Sequence, residues 1–154
     1  MEIKEVSEKE TKAEICNHIL RALPDWFGIE ESIVGYTNEV RKLPFYVALE
    51  KEQRIGFLAI KIHNPYTAEI CVMGVTNEYH RQGVGSALVI AAEKFCKNRG
   101  FQFLTVKTLD GSVQFEPYER TRNFYNKMGF VPLEVFPLLW DAANPCLFLA
   151  KYLH

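Results

Sequence analysis

Apolar and charged residues alternate from Ile3 to Val6, the pattern of a short edge strand. After Ser7 the period lengthens. Ile15, Ile19 and Leu20 fall on one side of a helix predicted to run through Arg21 and Ala22, and Ser7 with Glu10 three residues on forms a capping box at its start. Leu23-Pro24-Asp25-Trp26-Phe27-Gly28 breaks that helix and brings large aromatics beside a carboxylate. Ile33, Tyr36 and Val40 then recur at helical spacing, which predicts a second helix from Glu30 to Arg41. From Pro44 the period is that of strands. Phe45 to Glu50, Arg54 to His63 and Ala68 to Val75 are separated by the turns Glu50-Lys51-Glu52-Gln53 and Asn64-Pro65-Tyr66, an antiparallel meander.

Two glycines, Gly83 and Gly85, interrupt the strand period, and a helix is predicted from Gly85 to Asn98 with Leu88, Ala91, Ala92 and Phe95 toward the sheet and Gly100 as C-cap. Phe101 to Thr108 reads as a strand. Strand, helix and strand in this order form a right-handed crossover, so the sheet is expected to turn parallel here. After a loop from Asp110 to Pro117, a short helix from Tyr118 to Met128 ends at Gly129. Two strands, Phe130 to Phe136 and Cys146 to Leu153, follow. The order β-α-α-β-β-β-α-β-α-β-β predicts an α/β fold with a mixed, mostly antiparallel central sheet and helices on both faces. No repeat or linker appears, so residues 1–154 are read as a single domain.

Composition narrows the partners. A chain of 154 residues, 48% apolar and 24% charged, can build a core without staples. A formal charge of −1 and the lack of a basic run argue against nucleic acid. No apolar run approaches the roughly twenty residues a bilayer requires, and the charged Met1-Glu2-Ile3-Lys4-Glu5 has no signal core, so a cytoplasmic protein with no membrane partner is expected. Cys16, Cys71, Cys96 and Cys146 are scattered and read as reduced, mostly buried thiols. His18, His63, His80 and His154 are unclustered, and no metal site is predicted.

The stretch from Val75 to Leu88 carries the chemistry. Gly83 and Gly85 can adopt backbone angles that put successive N–H groups on one concave face, and the helix start adds unpaired N–H groups and a positive dipole end. The result is a phosphate cradle made of backbone. A dinucleotide fingerprint would need glycine where Leu88 stands, and a P-loop would need Gly-Lys-Ser/Thr, so both are excluded.

What His80-Arg81-Gln82-Gly83-Val84-Gly85 resembles is the acyl-CoA loop of the GNAT family of N-acetyltransferases, Arg/Gln-x-x-Gly-x-Gly/Ala at a strand-to-helix junction, with His80 where Arg or Gln is usual. A second stretch, Phe124-Tyr125-Asn126-Lys127-Met128-Gly129-Phe130, is similar to the family's Phe-Tyr-x-Lys-x-Gly-Phe, whose tyrosine lies beside the coenzyme A sulfur. The resemblance implies acetyl-CoA as co-substrate, no metal, and a small-molecule or peptide amine as acceptor. Arg81, Gln82, Gly83, Val84, Gly85 and Ser86 would offer N–H groups to the pyrophosphate, and Arg81 either adds its charge or points to solvent. Tyr125 is the candidate general acid to the leaving thiolate, or else a ring packed between helix and sheet.

The family polarises the thioester carbonyl with a backbone N–H where the strand before the loop splays, here Gly74 or Val75. Gly74 marks either a bulge or close packing against a helix. Glu69 resembles the base of the family's histone-type enzymes by its distance from the loop; the alternative is a solvated strand glutamate. Tyr118 stands where a pantetheine-binding Asn is frequent, and Asn123 or Arg122 is the expected substitute. Trp26, Phe27, Tyr36, Phe115, Tyr118 and Trp140, with Asp25, Glu30, Glu116 and Glu119, would suit a cationic or aromatic amine. Family members are often homodimers, and the apolar strand from Cys146 to Leu153 lies either at an interface or in the sheet. The rival functional reading is a non-catalytic acyl-CoA-binding or regulatory module.

Overall fold

The alternation at the N-terminus becomes β1 (Glu2–Glu5), and the chain continues through α1 (Lys9–Arg21), α2 (Glu30–Glu39), β2 (Phe45–Glu50), β3 (Gln53–Ile62), β4 (Thr67–Val75), α3 (Val84–Asn98), β5 (Phe103–Leu109), α4 (Glu116–Lys127), β6 (Val131–Asp141) and β7 (Asn144–Tyr152). This computed structural model describes all 154 residues. The strands form one mixed, mostly antiparallel seven-stranded sheet in the order β1-β2-β3-β4-β5-β7-β6, the α/β class and element order expected from the sequence. No helix is long and apolar enough to cross a membrane.

The chain gathers into two compact units, Met1–Lys61 with Ile70–Phe95, and Ile62–Glu69 with Cys96–His154; β4 contributes residues to both. In the first unit β1, β2 and β3 are antiparallel, with Glu2 opposite Leu49 and Phe45 opposite Ala59. Lys51 and Glu52 turn the β2–β3 hairpin with positive φ at both, the two-residue geometry that matches strand twist. α1 and α2 bury Ile15, Ile19, Leu20 and Ile33 against Phe45 and Phe57, whose rings stack 5.3 Å apart.

Two details differ from the expected pattern. The cap of α1 is Glu8, not Ser7: its carboxylate accepts from the N–H groups of Glu10 and Thr11, and a negative charge there also complements the helix dipole. α2 ends at Glu39 and tightens into a 3₁₀ turn over Val40–Lys42, which keeps Val40 buried.

In the second unit β7 pairs antiparallel with both β5 and β6, Leu104 facing Lys151 and Val135 facing Leu147. Pro117 occupies the first turn of α4, where no N–H is needed, and Gly129 at φ +93° ends that helix. β6 extends to Asp141 rather than stopping at Phe136. Its hairpin closes on Asp141 Oδ1, which accepts from Ala143 N–H and the Asn144 side chain. The sequence hid this because Pro137 and Pro145 read as loop, and Leu138-Leu139-Trp140 shows no alternation. These side chains are exposed, Leu138 at 74%.

Candidate active site

The glycine loop begins where β4 ends. Thr76 N–H donates to Ile55 O at 2.9 Å, a short 3₁₀ turn covers Asn77–Tyr79, and α3 starts at Val84. Arg81 and Gly83 have φ of +64° and +81°, so left-handed residues flank Gln82, the backbone alternation that forms an anion nest. A Cβ on Gly83 would meet no protein atom within 4 Å. The space beside Gly83 is therefore open for a ligand, and the first-turn amides of α3 adjoin it.

The loop is braced by the side chains of its own sequence. His80 Nε2 lies 2.6 Å from Val75 O, and Gln82 Nε2 donates to Glu78 O at 2.9 Å. Trp26 meets the His80 ring edge-on at 5.5 Å. His80 and Gln82 thus point their polar atoms back into the turn, and Arg81 is exposed. On the α1 side an open polar cleft of about 670 Å³ runs past Thr76, Glu78, Gln82, His18 and Arg54.

Two glycines set the layers around this loop. A Cβ on Gly56 would lie 3.1 Å from Gly74 O and 3.2 Å from both Leu88 and Val84, so the first turn of α3 rests directly on β3. A Cβ on Gly74 would come within 3.0 Å of Leu23 and 3.1 Å of Ile19, which identifies Gly74 as the seat of α1. Cys71 Sγ meets Glu39 Oε1, at the end of α2, at 3.5 Å. Since α1 and α2 pack together, Cys71 and Gly74 face the same helical layer although three positions apart. A regular strand would turn them to opposite faces; since Val72 packs in the same core as the neighbours of Gly74, the alternation slips by one residue at Cys71–Val72, a β-bulge in the middle of β4. Of the two readings its sequence position left open, Gly74 shows the close packing against a helix. Because Thr76 N–H bonds to β3, strand alternation aims Val75 N–H away from β3.

Glu69, on the N-terminal part of β4, is 6% exposed. It is not a solvated strand glutamate. Lys107 Nζ of β5 bonds Oε2 at 2.7 Å, and His63 Nε2 bonds Oε1 at 2.6 Å. Lys107 was not legible as a partner in the sequence, because it is 38 positions from Glu69 and only the fold joins them, and His63 meets Glu69 across the β3–β4 turn. Thr108, next on β5, is 4% exposed, and its hydroxyl has no partner.

On α4, Tyr125 is 5% exposed, with its ring 5.4 Å from Phe124 and 5.6 Å from Phe130. Phe124 is half-buried. Arg122 Nη1 donates to Leu109 O at 2.8 Å and so ties α4 to the end of β5. Asn123 is exposed. Tyr118 is half-buried beside Phe115, and burial pushes its phenol up from the ordinary value. Of the carboxylates expected to favour a cation, Glu30 is engaged by Arg21 at 2.7 and 2.8 Å and Glu116 by Arg120 at 2.9 Å, whereas Asp25 and Glu119 are exposed. Phe27 meets Tyr36 edge-on at 6.2 Å, and Trp140 is exposed on β6. No group of three or more His, Cys, Asp and Glu side chains is close enough to hold a metal.

The chain matches the family model described as the acetyltransferase (GNAT) family over residues 12–130. An uncharacterised N-acetyltransferase of Chlorobaculum tepidum is 30% identical over 121 residues, 77% of this chain and 70% of that protein. Among solved structures, a GNAT-family acetyltransferase structure from Desulfovibrio desulfuricans superposes with a TM-score of 0.84 at 15% identity, covering 99% of each chain. An aminoglycoside 6'-N-acetyltransferase complexed with coenzyme A gives 0.79 at 20% identity, covering 100% of this chain and 98% of that one. At such identities these structures establish the fold.

Proposed function

Because the chain belongs to the acetyltransferase (GNAT) family, we propose that it passes an acetyl group directly from acetyl-CoA to a primary amine of a small molecule or peptide. The observation that carries this reading is the nest at Gly83, left-handed, open on its Cβ side and placed at the start of α3. Backbone N–H groups from Arg81 to Ser86 hold the pyrophosphate, each charge-assisted bond contributing on the order of ~1.5–3 kcal/mol. His80 and Gln82 keep that backbone in shape. The family match spans residues 12–130, parts of both compact units, which supports one acetyltransferase domain over 1–154.

The thioester supplies an activated acyl carbon. The chain's own residues do the rest. Val75 N–H, released from β3 pairing, stabilises the negative charge that grows on the carbonyl oxygen, with Gly74 and the bulge before it fixing its direction. The acceptor must be neutral to attack, and Glu69 or water in contact with it takes the proton. Tyr125 gives a proton or a hydrogen bond to the departing thiolate, whose conjugate acid has a pKa near ~8.5. Tyr118 and Asn123 border the pantetheine arm. The exposed apolar edge of β6 supports a homodimer, which sedimentation would register as a molecular weight twice that of the chain.

Free-thiol release from acetyl-CoA, measured with a panel of amines, peptides and hydroxyl compounds, tests the function. Stimulation by a primary amine is expected. If coenzyme A binds and no acceptor accelerates release, the chain is an acyl-CoA-binding module instead.

A further inference from the structure

We propose that His80 and Trp26 are positioning residues for acetyl transfer: the His80 ring, held by Trp26, anchors the Val75 carbonyl and so fixes the backbone whose N–H meets the thioester. The inference rests on the acetyl-transfer reading above and assigns Trp26 to the donor side of the reaction rather than to the acceptor. Every residue in it belongs to the first compact unit. The Val75–Thr76 peptide is the part that must be held. Thr76 N–H donates to Ile55 O of β3 at 2.9 Å, so the carbonyl of Val75, one residue earlier, points to the opposite edge of β4, the same edge as Val75 N–H. His80 Nε2 meets that oxygen at 2.6 Å. A carbonyl has only lone pairs to offer, so the hydrogen of this bond sits on Nε2, and in the neutral ring Nδ1 is the bare nitrogen. The peptide is thus held by β3 through its nitrogen and by His80 through its oxygen.

The ring is fixed in turn. His80 N–H closes the 3₁₀ turn on Asn77 O at 3.2 Å, and the side chain reaches back over that turn to Val75. The Trp26 ring stands against it, with centroids 5.5 Å apart and planes at 76°. Trp26 is itself anchored: its N–H donates to Leu23 O at 3.1 Å in the turn after α1, and its side chain packs on the core that holds Ile19, Leu23 and Phe57. Histidine stands here in place of the motif's Arg or Gln, and its ring has fewer torsions to immobilise than either of those side chains. Arg81 and Gly83, the left-handed residues of the nest, come directly after it, so one ring secures both the end of β4 and the entry to the cofactor loop. Loss of either ring lets the Val75 carbonyl drift and misaims the neighbouring N–H, without removing any group that binds an acceptor.

Two measurements test this. In protein labelled with ¹⁵N at histidine, wild-type His80 is expected as the Nε2–H tautomer with that hydrogen protected from exchange, and the protection should be lost in Trp26→Leu. The Nδ1–H tautomer in wild type, or unchanged protection in Trp26→Leu, would overturn the inference without reference to any substrate. In thiol release from acetyl-CoA, His80→Ala and Trp26→Leu should each lower kcat by roughly ten- to a hundredfold, by the same factor for every acceptor the wild type uses and with KM for the acceptor little changed. The double variant should lose no more than the worse single one, because both act on one bond. His80→Gln, which keeps a side-chain N–H donor, and Trp26→Phe, which keeps an aromatic ring, should recover most of the rate. A Trp26→Leu enzyme with normal kcat, and a KM raised by a factor that differs from one acceptor to the next, would make Trp26 a wall of the acceptor site and sink the proposal. Failure of the wild type to release thiol with any amine is a different result: it counts against acetyl transfer itself and removes the role with it, whichever tautomer the ring holds.

Discussion

Gly83 answers two demands at once: a left-handed backbone, and an empty volume where any other residue would carry a Cβ. At φ +81° a branched side chain adds strain of roughly 1–2 kcal/mol, while the protein itself offers it no clash. Gly83→Val should therefore fold, with a modest loss in melting temperature, and lose measurable coenzyme A binding by calorimetry. Tyr125→Phe keeps the buried ring and removes only the hydroxyl. Turnover should fall by roughly ten- to ten-thousand-fold with cofactor affinity little changed, and equal turnover would take Tyr125 out of the mechanism. The cysteines make a third case. Burial pushes the Cys16 thiol up to about 12, whereas the unfolded thiol titrates near ~8.5. The folded state thus favours the neutral form, so this contribution is intact below ~8.5 and is lost as pH rises from there toward about 12. In aromatic disulfide reagent at neutral pH, half-exposed Cys71 should react first, and buried Cys16, Cys96 and Cys146 only on unfolding.

Among the elements, α3 and α1 depend on glycines in adjacent strands that no motif marks. Gly56→Ala drives a methyl to 3.1 Å from a backbone oxygen, and Gly74→Ala to 3.0 Å from Leu23. Each should cost about 1–3 kcal/mol in urea unfolding. Only Gly56→Ala should also raise KM for acetyl-CoA, because Gly56 seats the turn of α3 that presents the loop. The order and type of the strands and helices were legible from their apolar periods, and the second half of β6, where alternation fails, was not. Glu8 as cap, the slip in β4 and the Lys107–Glu69–His63 cluster were not. Each is decided by geometry beyond a window of a few residues: a side-chain rotamer, a face assignment, or a partner on another strand. His80 and Gln82 teach the same point, since motif spacing gave no sign that their polar atoms turn back to Val75 and Glu78.

At the scale of the whole molecule, β4 contributes Thr67–Glu69 to one compact unit and Ile70–Val75 to the other. A single glycine loop and a single tyrosine motif, far apart in the chain, identified the family; the acceptor left no such word. Of the carboxylates expected to favour a cationic acceptor, Glu30 and Glu116 are already paired with arginines.

The place of β7 has a bearing on how the molecule can be made. It follows β6 in the chain, yet it lies between β5 and β6 in the sheet. Until its residues leave the ribosome, β5 and β6 are two unfinished edges, and β6 is lined with Val131, Leu133, Val135 and Leu138, all exposed even in the finished fold. A nascent chain stalled in the β6–β7 turn therefore presents sticky strands with nothing to zip them together. A version ending at Asp141 should accumulate in inclusion bodies, and co-expression of a peptide spanning Asn144–Tyr152 should return part of it to the soluble fraction.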